Sequence, residues 1–230
     1  KKKVDKDELN KIILKIKQKE INGINITVPF KKEIIPYLDQ LSIEAEKTQS
    51  VNTIYKKDNK IIGDNTDVEG FERSFHNINY EIQNKKVLIL GAGGVVSSLI
   101  VALKNLGLGE IVLSNRTKKN AVKLQEIYPD LKIIDWGNVS NFDIVINATS
   151  LGLKHEDSLK VDFKDIGKNK LFYDVIYNPS ITSFLKEGKK LGNKIENGKM
   201  MFAYQAQKAF KIWHNILPEI DKETINLLEI

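Results

Sequence analysis

Val87-Leu88-Ile89-Leu90 runs directly into Gly91-Ala92-Gly93-Gly94, and this stretch limits the possible folds more than any other. Four apolar residues without polar alternation predict a strand buried on both faces. The glycines let the chain turn tightly and bring its backbone against a ligand. Residues 95–106 are mostly apolar and free of proline and glycine, which predicts a helix starting at the glycines with its unpaired N–H groups facing the turn. Strand, Gly-rich turn and helix start in that order form the phosphate-binding corner of a dinucleotide fold. Taken alone, the stretch also fits a tight turn that binds nothing. Val96 stands where the G-x-G-x-x-G pattern has Gly or Ala, so helix and strand are expected to pack less closely here.

From residue 85 onward the pattern alternates strand and helix, as in a parallel sheet wrapped by crossovers. Strands are expected at 87–90, 110–114, 132–134, 143–147 and 171–175, and helices at 95–106, 118–127 and 180–191. The second strand ends on Asn115-Arg116-Thr117-Lys118-Lys119, about 20 residues past the glycines, where such folds meet the adenosine ribose. No Asp or Glu stands there to hold a free 2′-hydroxyl. A guanidinium, a hydroxyl and two lysines suit a 2′-phosphate instead, so the cofactor is read as NADP.

The N-terminal part is patterned differently. Asp5 and Glu8 have capping-box spacing before Leu9, Ile12, Ile13 and Ile16, which predicts an amphipathic helix over 5–17. Gly23 releases a short strand, 24–28, with Ile24, Ile26 and Val28 on one face and Asn25 and Thr27 on the other, ended by Pro29. Spacing alone leaves Asn25 and Thr27 either facing solvent or lining a pocket. Residues 51–55 and 60–62 predict a hairpin across Asp58-Asn59. Beyond it, 68–75 is expected to be helical with Asp67 at the N-cap position. Phe202, Phe210 and Trp213 recur at helical spacing and are expected to pack in a core.

Composition mostly excludes. The 230 residues suit two modest domains or one large one, no apolar run reaches membrane-spanning length, and no signal peptide is visible. The absence of cysteine excludes disulfides and thiolate chemistry and fits a cytoplasmic protein. A net charge of +6 is spread over scattered lysines without interleaved aromatics, which argues against a nucleic-acid surface but favours anionic small molecules. His76, His155 and His214 have no metal-ligand spacing, so no metal is expected. Monomer and homodimer both remain open.

Several separated stretches converge on one family. Asn22-Gly23-Ile24-Asn25-Ile26-Thr27-Val28-Pro29-Phe30-Lys31, Ser50-Val51-Asn52-Thr53, Gly63-Asp64-Asn65-Thr66-Asp67, Gly91-Ala92-Gly93-Gly94, Asn115-Arg116-Thr117, Asn147-Ala148-Thr149-Ser150-Leu151-Gly152, Tyr177-Asn178-Pro179 and Gln205-Ala206 together resemble the shikimate dehydrogenase family, in its order and across nearly the whole chain. The resemblance implies an α/β protein: a Rossmann-type NADP-binding domain with a parallel sheet, residues 68–199, and a smaller α/β substrate domain built from both chain ends, 1–67 and 200–230. It also implies the reversible, NADPH-dependent reduction of 3-dehydroshikimate to shikimate, a step toward aromatic amino acids. Lys31 matches the catalytic lysine and Asp67 its carboxylate partner. Asn25, Thr27, Asn52, Tyr177 and Gln205 match groups holding the substrate. Gly91, Ala92, Gly93 and Gly94 match the pyrophosphate loop, and Asn115, Arg116 and Thr117 the 2′-phosphate site. Thr149, Ser150, Gly198 and Met201 match residues along the nicotinamide half.

The chemistry asks for the same residue types. Hydride transfer between a nicotinamide and a carbinol carbon needs a proton to join or leave the oxygen, a task for a lysine oriented by a carboxylate. The family's N-terminal strand with its Ser-x-Ser-Pro stretch does not stand in these residues, and Lys1 is not a native start, so weak substrate binding is expected of the chain as given. Asn120 replaces a basic residue after Asn-Arg-Thr, and Met200 replaces a glycine, where its side chain is expected to crowd the nicotinamide. Two other readings stay in view: quinate or another shikimate-like acid as substrate, and a non-catalytic NADP-binding protein. Retention of Lys31, Asp67, Asn52 and Gln205 together argues against the latter.

Overall fold

The computed structural model describes residues 5–154 and 156–228, so His155 lies outside the described residues. The described residues form two sheets. The smaller has the order β1-β3-β4-β2, built from β1 Gly23–Asn25, β2 Gln40–Leu41, β3 Thr53–Lys57 and β4 Lys60–Asp64. The larger has the order β10-β9-β8-β5-β6-β7, built from β5 Lys86–Leu90, β6 Glu110–Ser114, β7 Lys132–Ile134, β8 Ile144–Asn147, β9 Leu171–Asp174 and β10 Lys194–Glu196, and every pair in it is parallel. The helices are α1 Leu9–Lys17, α2 Ile43–Thr48, α3 Thr66–His76, α4 Val96–Asn105, α5 Lys118–Ile127, α6 Ser183–Lys190, α7 Lys199–His214 and α8 Lys222–Asn226. This is an α/β architecture of the doubly wound kind. Its strand order reverses between β5 and β8, the switch point at which such sheets open a crevice beyond their strand ends.

The larger sheet is buried on both faces, as the unbroken apolar run of β5 requires: Val87 and Ile89 join a core with Leu99, Leu103 and Tyr173, while Leu88 and Leu90 join another with Phe172 and Phe184. A third core gathers Leu9, Ile13 and Ile16 of α1 against Val51, Ile54 and Ile61 of the smaller sheet. Between them α3 and α7 pack closely. A Cβ on Gly70 would lie 2.8 Å from the Met201 carbonyl oxygen and 2.9 Å from the Gln205 nitrogen, so this crossing needs glycine.

Most elements form where the pattern put them, and the departures have local causes. The hairpin turns at Asp58 and Asn59, both at positive φ (48° and 63°), the geometry a two-residue hairpin loop demands. A single 3-10 turn, Lys6–Glu8, precedes α1 where continuous helix was expected. The strand expected over 24–28 stops at Asn25: Thr27 C=O accepts from Phe30 N–H at 3.0 Å, closing a turn that carries Lys31 inward and leaves Val28 65% exposed instead of on the Ile24 face. Helix α3 begins one residue before Asp67, because Asn65 is the cap, its side-chain oxygen accepting from the Asp67 N–H at 3.1 Å. Likewise α6 starts only after Thr182, whose hydroxyl oxygen accepts from Leu185 N–H. Strand β10 was not foreseen. Phe202 and Phe210 are not core residues. The buried face of α7 carries Met201, Ala203, Gln207 and Ala209, mostly small where it meets α3, and the two rings are left 37% and 39% exposed on other faces. Trp213 is half-buried and donates Nε1–H to the Ile54 carbonyl at 3.1 Å.

Candidate active site

Two adjoining cavities lie between the sheets. One, of about 470 Å³, is lined by Asn25, Thr27, Lys31, Asn52, Asp67, Tyr177, Gly198, Met201, Phe202 and Gln205, among others. The other, of about 630 Å³, lies over the ends of β5 and β8 and is lined by Gly91, Ala92, Gly93, Gly94, Asn115, Asn120, Thr149, Ser150 and their neighbours. Lys31, Val95, Val175 and Tyr177 border both, so the ammonium stands where the two spaces meet. A ligand in either cavity would reach the same group.

The smaller cavity is wired around Asp67. Lys31 Nζ donates to Asp67 Oδ2 at 2.5 Å, with the side chains only 13% and 10% exposed. Asn52 Nδ2 donates to Asp67 Oδ1 at 2.8 Å and to Thr66 Oγ1 at 3.0 Å, while Asn52 Oδ1 accepts from the Thr66 N–H at 2.8 Å. Both carboxylate oxygens are thus held, and Asp67 lies in the first turn of α3, where backbone N–H groups favour a negative charge. Charge-assisted bonds of this kind are short and directional, and fix the ammonium to within a rotamer. Asn25 Nδ2 donates to the Asn52 carbonyl at 3.1 Å and to Thr53 Oγ1 at 3.0 Å. Asn25 and Thr27, whose spacing left two readings, line the cavity. Gln205 Nε2 bonds back to the Phe202 carbonyl at 3.0 Å, and the Tyr177 ring stacks on Phe202 at 4.7 Å between centroids.

In the larger cavity the glycine turn behaves as its sequence requires at one position. Gly91 has φ +110°, and a Cβ there would lie 2.9 Å from the Ala148 carbonyl oxygen. At Gly93 and Gly94 a Cβ would come no closer than 3.8 Å and 3.3 Å to its neighbours. Helix α4 opens behind the turn with no side-chain cap and no acid in its first turn, leaving its N–H groups for an anion. Across the crevice, Asn147 Oδ1 accepts from the Thr149 N–H at 3.1 Å and from Thr149 Oγ1 at 2.8 Å, which folds the loop after β8 back on its strand. Arg116 and Thr117 are exposed beyond β6 and line neither cavity; Asn115 does line it, and donates Nδ2–H to the Thr117 carbonyl at 2.8 Å. Gly198 and Met201 line the smaller cavity, and a Cβ on Gly198 would lie 2.1 Å from the Val175 carbonyl oxygen, so no side chain fits there. Met200 lines neither cavity.

Sequence reasoning passed over three contributors. Asn65 is fully buried, and its Nδ2 donates to Ser50 O at 2.9 Å and to Ser98 Oγ of α4 at 3.0 Å, which joins the two halves directly behind Asp67. Its signal was present, since Asn is a preferred cap. Phe202, read as core, and Asp174, read as the inside of a strand, were not separable from packing residues by pattern. Among the described residues no cluster of His, Asp and Glu could hold a metal ion, and no helix is long and apolar enough to cross a membrane.

With this geometry in place, comparison with known proteins is informative. Residues 1–54 match the family model for the shikimate dehydrogenase substrate binding domain, and residues 73–175 match that for shikimate / quinate 5-dehydrogenase. The chain is 59% identical over 227 residues to the shikimate dehydrogenase (NADP(+)) of Pelagibacter ubique, covering 99% of this chain and 86% of that protein. It superimposes on the crystal structure of shikimate dehydrogenase from Aquifex aeolicus with a TM-score of 0.87 at 35% identity, covering 98% of this chain and 83% of that one. The Thermus thermophilus shikimate 5-dehydrogenase, solved in complex with NADP(H) and shikimate, gives a TM-score of 0.87 at 28% identity, with 98% and 84% covered.

Proposed function

The chain belongs to the shikimate dehydrogenase family, and on that premise we propose that its two cavities serve the NADPH-dependent, reversible reduction of 3-dehydroshikimate to shikimate. The observation that carries the reading is the placement of the Lys31–Asp67 pair at the junction of the two cavities. The larger cavity suits the cofactor: a cradle at Gly91 that a Cβ would fill, an uncapped helix start behind it, and Asn115 on its wall, next in sequence to the exposed Arg116. Bound there, NADPH supplies the hydride.

This chain's own residues handle the proton and the fit. In the reducing direction the Lys31 ammonium donates a proton to the substrate's carbonyl oxygen; in the oxidising direction the neutral amine takes it back. Asp67, fixed through Oδ1 by Asn52, orients Lys31 through Oδ2 and retains acceptor capacity for a neighbouring hydroxyl. Asn25, Thr27, Tyr177 and Gln205 offer amide and hydroxyl groups from the remaining walls, as a polyhydroxy acid requires. Gly91, Ala92, Gly93 and Gly94 would hold the pyrophosphate, Asn115, Arg116 and Thr117 the 2′-phosphate, and Thr149, Ser150, Gly198 and Met201 the nicotinamide half. The working units are then a substrate domain of residues 1–67 and 200–230 and a cofactor domain of 68–199, with α3 and α7 as the packed seam between them. The same reading sets the reaction in the cytoplasm.

The experiment is direct. NADPH absorbance is followed after mixing the chain with NADP and shikimate, with NAD and quinate as parallel substitutions. Turnover with shikimate and NADP, well above either substitution, is expected; equal or better turnover with quinate would move the substrate assignment, and none with any pair would overturn the reading.

A further inference from the structure

Asp174, the last residue of β9, is fully buried, and its partners among the described residues include no cation. Its partners are all neutral donors. Thr182 Oγ1 donates to Oδ2 at 2.6 Å, the Ile176 N–H donates to Oδ1 at 3.0 Å, and Asn147 Nδ2 lies 3.1 Å from both oxygens. Each donor is committed to that role. Asn147 must turn its amide nitrogen toward Asp174, because its oxygen already accepts from the Thr149 N–H and Oγ1. The Thr182 oxygen accepts from Leu185 N–H as the cap of α6, which leaves its own proton for Asp174. The surroundings therefore offer donors to both oxygens, which a carboxyl group accepts and an amide, with one oxygen replaced by NH2, cannot. Burial pushes the Asp174 carboxyl up, against these donors, to about 6, so it is ionised at neutral pH.

The partners belong to the two loops that wall the cavities. Asn147 and Asp174 are register neighbours on β8 and β9, at the ends of the strands beside the switch point. From Asn147 the chain of bonds runs to Thr149 and on to the Leu151 N–H, which donates to Thr149 Oγ1 at 3.0 Å. From Ile176 the backbone turns directly into Tyr177, which borders both cavities. One carboxylate thus fixes the loop carrying Thr149 and Ser150 relative to the loop carrying Tyr177.

Building on the proposed NADP reading of the larger cavity, we infer that Asp174 is a positioning residue that locks these two loops together and so sets the affinity for the nicotinamide half of the cofactor. It touches neither cofactor nor substrate. The adenosine end, across the crevice beyond β5 and β6, does not depend on it.

That asymmetry gives the test. The affinities of the whole chain and its variants for NADP and for 2′,5′-ADP, which carries only the adenosine end, are measured by calorimetry. Asp174→Asn, which sets an amide N–H against committed donors, is expected to weaken NADP by about tenfold or more while leaving 2′,5′-ADP within about twofold. Thr182→Val, which removes one donor, is expected to act in the same sense, and Thr182→Ser, which keeps the hydroxyl, to recover most of the loss. If Asp174→Asn fails to fold, the Thr182 pair decides alone. Unchanged NADP affinity, or equal loss of both ligands, would overturn the inference. A wild-type chain that bound neither ligand would overturn the cofactor reading and this inference with it.

Discussion

Asp67 lines the cleft and Asp174 lies behind its wall, both nearly or wholly buried, and they keep opposite company. Asp67 has a cation on one oxygen and an amide on the other, and its cation faces the junction of the two cavities. Asp174 has only neutral donors among the described residues and lines neither cavity. Burial of a carboxylate demands compensation in either case, and the two solutions have different consequences. A carboxylate that shares its charge with a lysine at the cavity junction can take part in moving a proton. One enclosed by committed N–H and O–H groups has nowhere to send one, and serves as a clamp.

The largest effect that separates the two is expected on turnover. Lys31→Ala removes the proposed proton donor and is expected to lower kcat by about 10²-fold or more with little change in the KM for shikimate. Steady-state kinetics at saturating NADP check this. An Asp174 variant as slow as Lys31→Ala would erase the distinction.

The second effect is on stability and has a definite sign. The Asp174 carboxyl is raised from 3.8 to about 6 by burial, so the native state holds its proton more tightly than the unfolded chain does. The group's contribution is therefore most favourable below about pH 4 and is withdrawn as pH rises through about 6, by something on the order of 3 kcal/mol. Thermal melts of wild type and Asp174→Asn between these limits should show the stability advantage of wild type shrinking with rising pH. A gap that widened instead would mean that the donors outweigh burial.

Smaller effects sharpen the comparison on either side. Asn52→Ala frees Asp67 Oδ1 and leaves the Thr66 N–H without its acceptor; kcat is expected to fall about tenfold, with some loss of stability. Asn52→Asp, which would set a second carboxylate against Asp67 Oδ1 where the amide now donates at 2.8 Å, is expected to recover neither the rate nor the stability. Arg116→Ala, on an exposed loop, is expected to raise the KM for NADP by only a few fold and leave that for NAD unchanged, without disturbing either carboxylate. An equal change for both cofactors would remove Arg116 from the 2′-phosphate site.

How much of this was legible in the sequence follows the same division. The strands β6 and β7 and helix α5 begin and end where periodicity put them, because each is bounded by its own turn residues. The parallel sheet followed from runs too apolar to have a wet face. Strand β1 was overextended, since nothing in Ile24-Asn25-Ile26-Thr27-Val28 reveals that residues 27–30 close a turn before Pro29 could end the strand. The α7 aromatics were misplaced for a related reason: helical spacing shows that residues share a face, and only the close crossing at Gly70 decides which face is buried. Asp67 was flagged as a helix cap or a carboxylate partner; the structure gives the cap to Asn65, one of the preferred cap residues, and the lysine to Asp67. Asp174 carried no signal at all, because an acid at the end of an apolar strand has no periodic or motif context. Its role rests on which way Asn147 and Thr182 face, and that is a property of the fold alone.

The two carboxylate systems are expected to fail differently. The most direct test measures kcat with shikimate and the dissociation constant for NADP on Lys31→Ala and Asp174→Asn in the same buffer. The expected pattern is crossed: Lys31→Ala binds NADP within about twofold of wild type and scarcely turns over, while Asp174→Asn binds NADP about tenfold more weakly and, once saturated, turns over within a few fold of wild type. If both variants lost rate and affinity in the same proportion, the division between a proton-moving pair and a clamp would be contradicted.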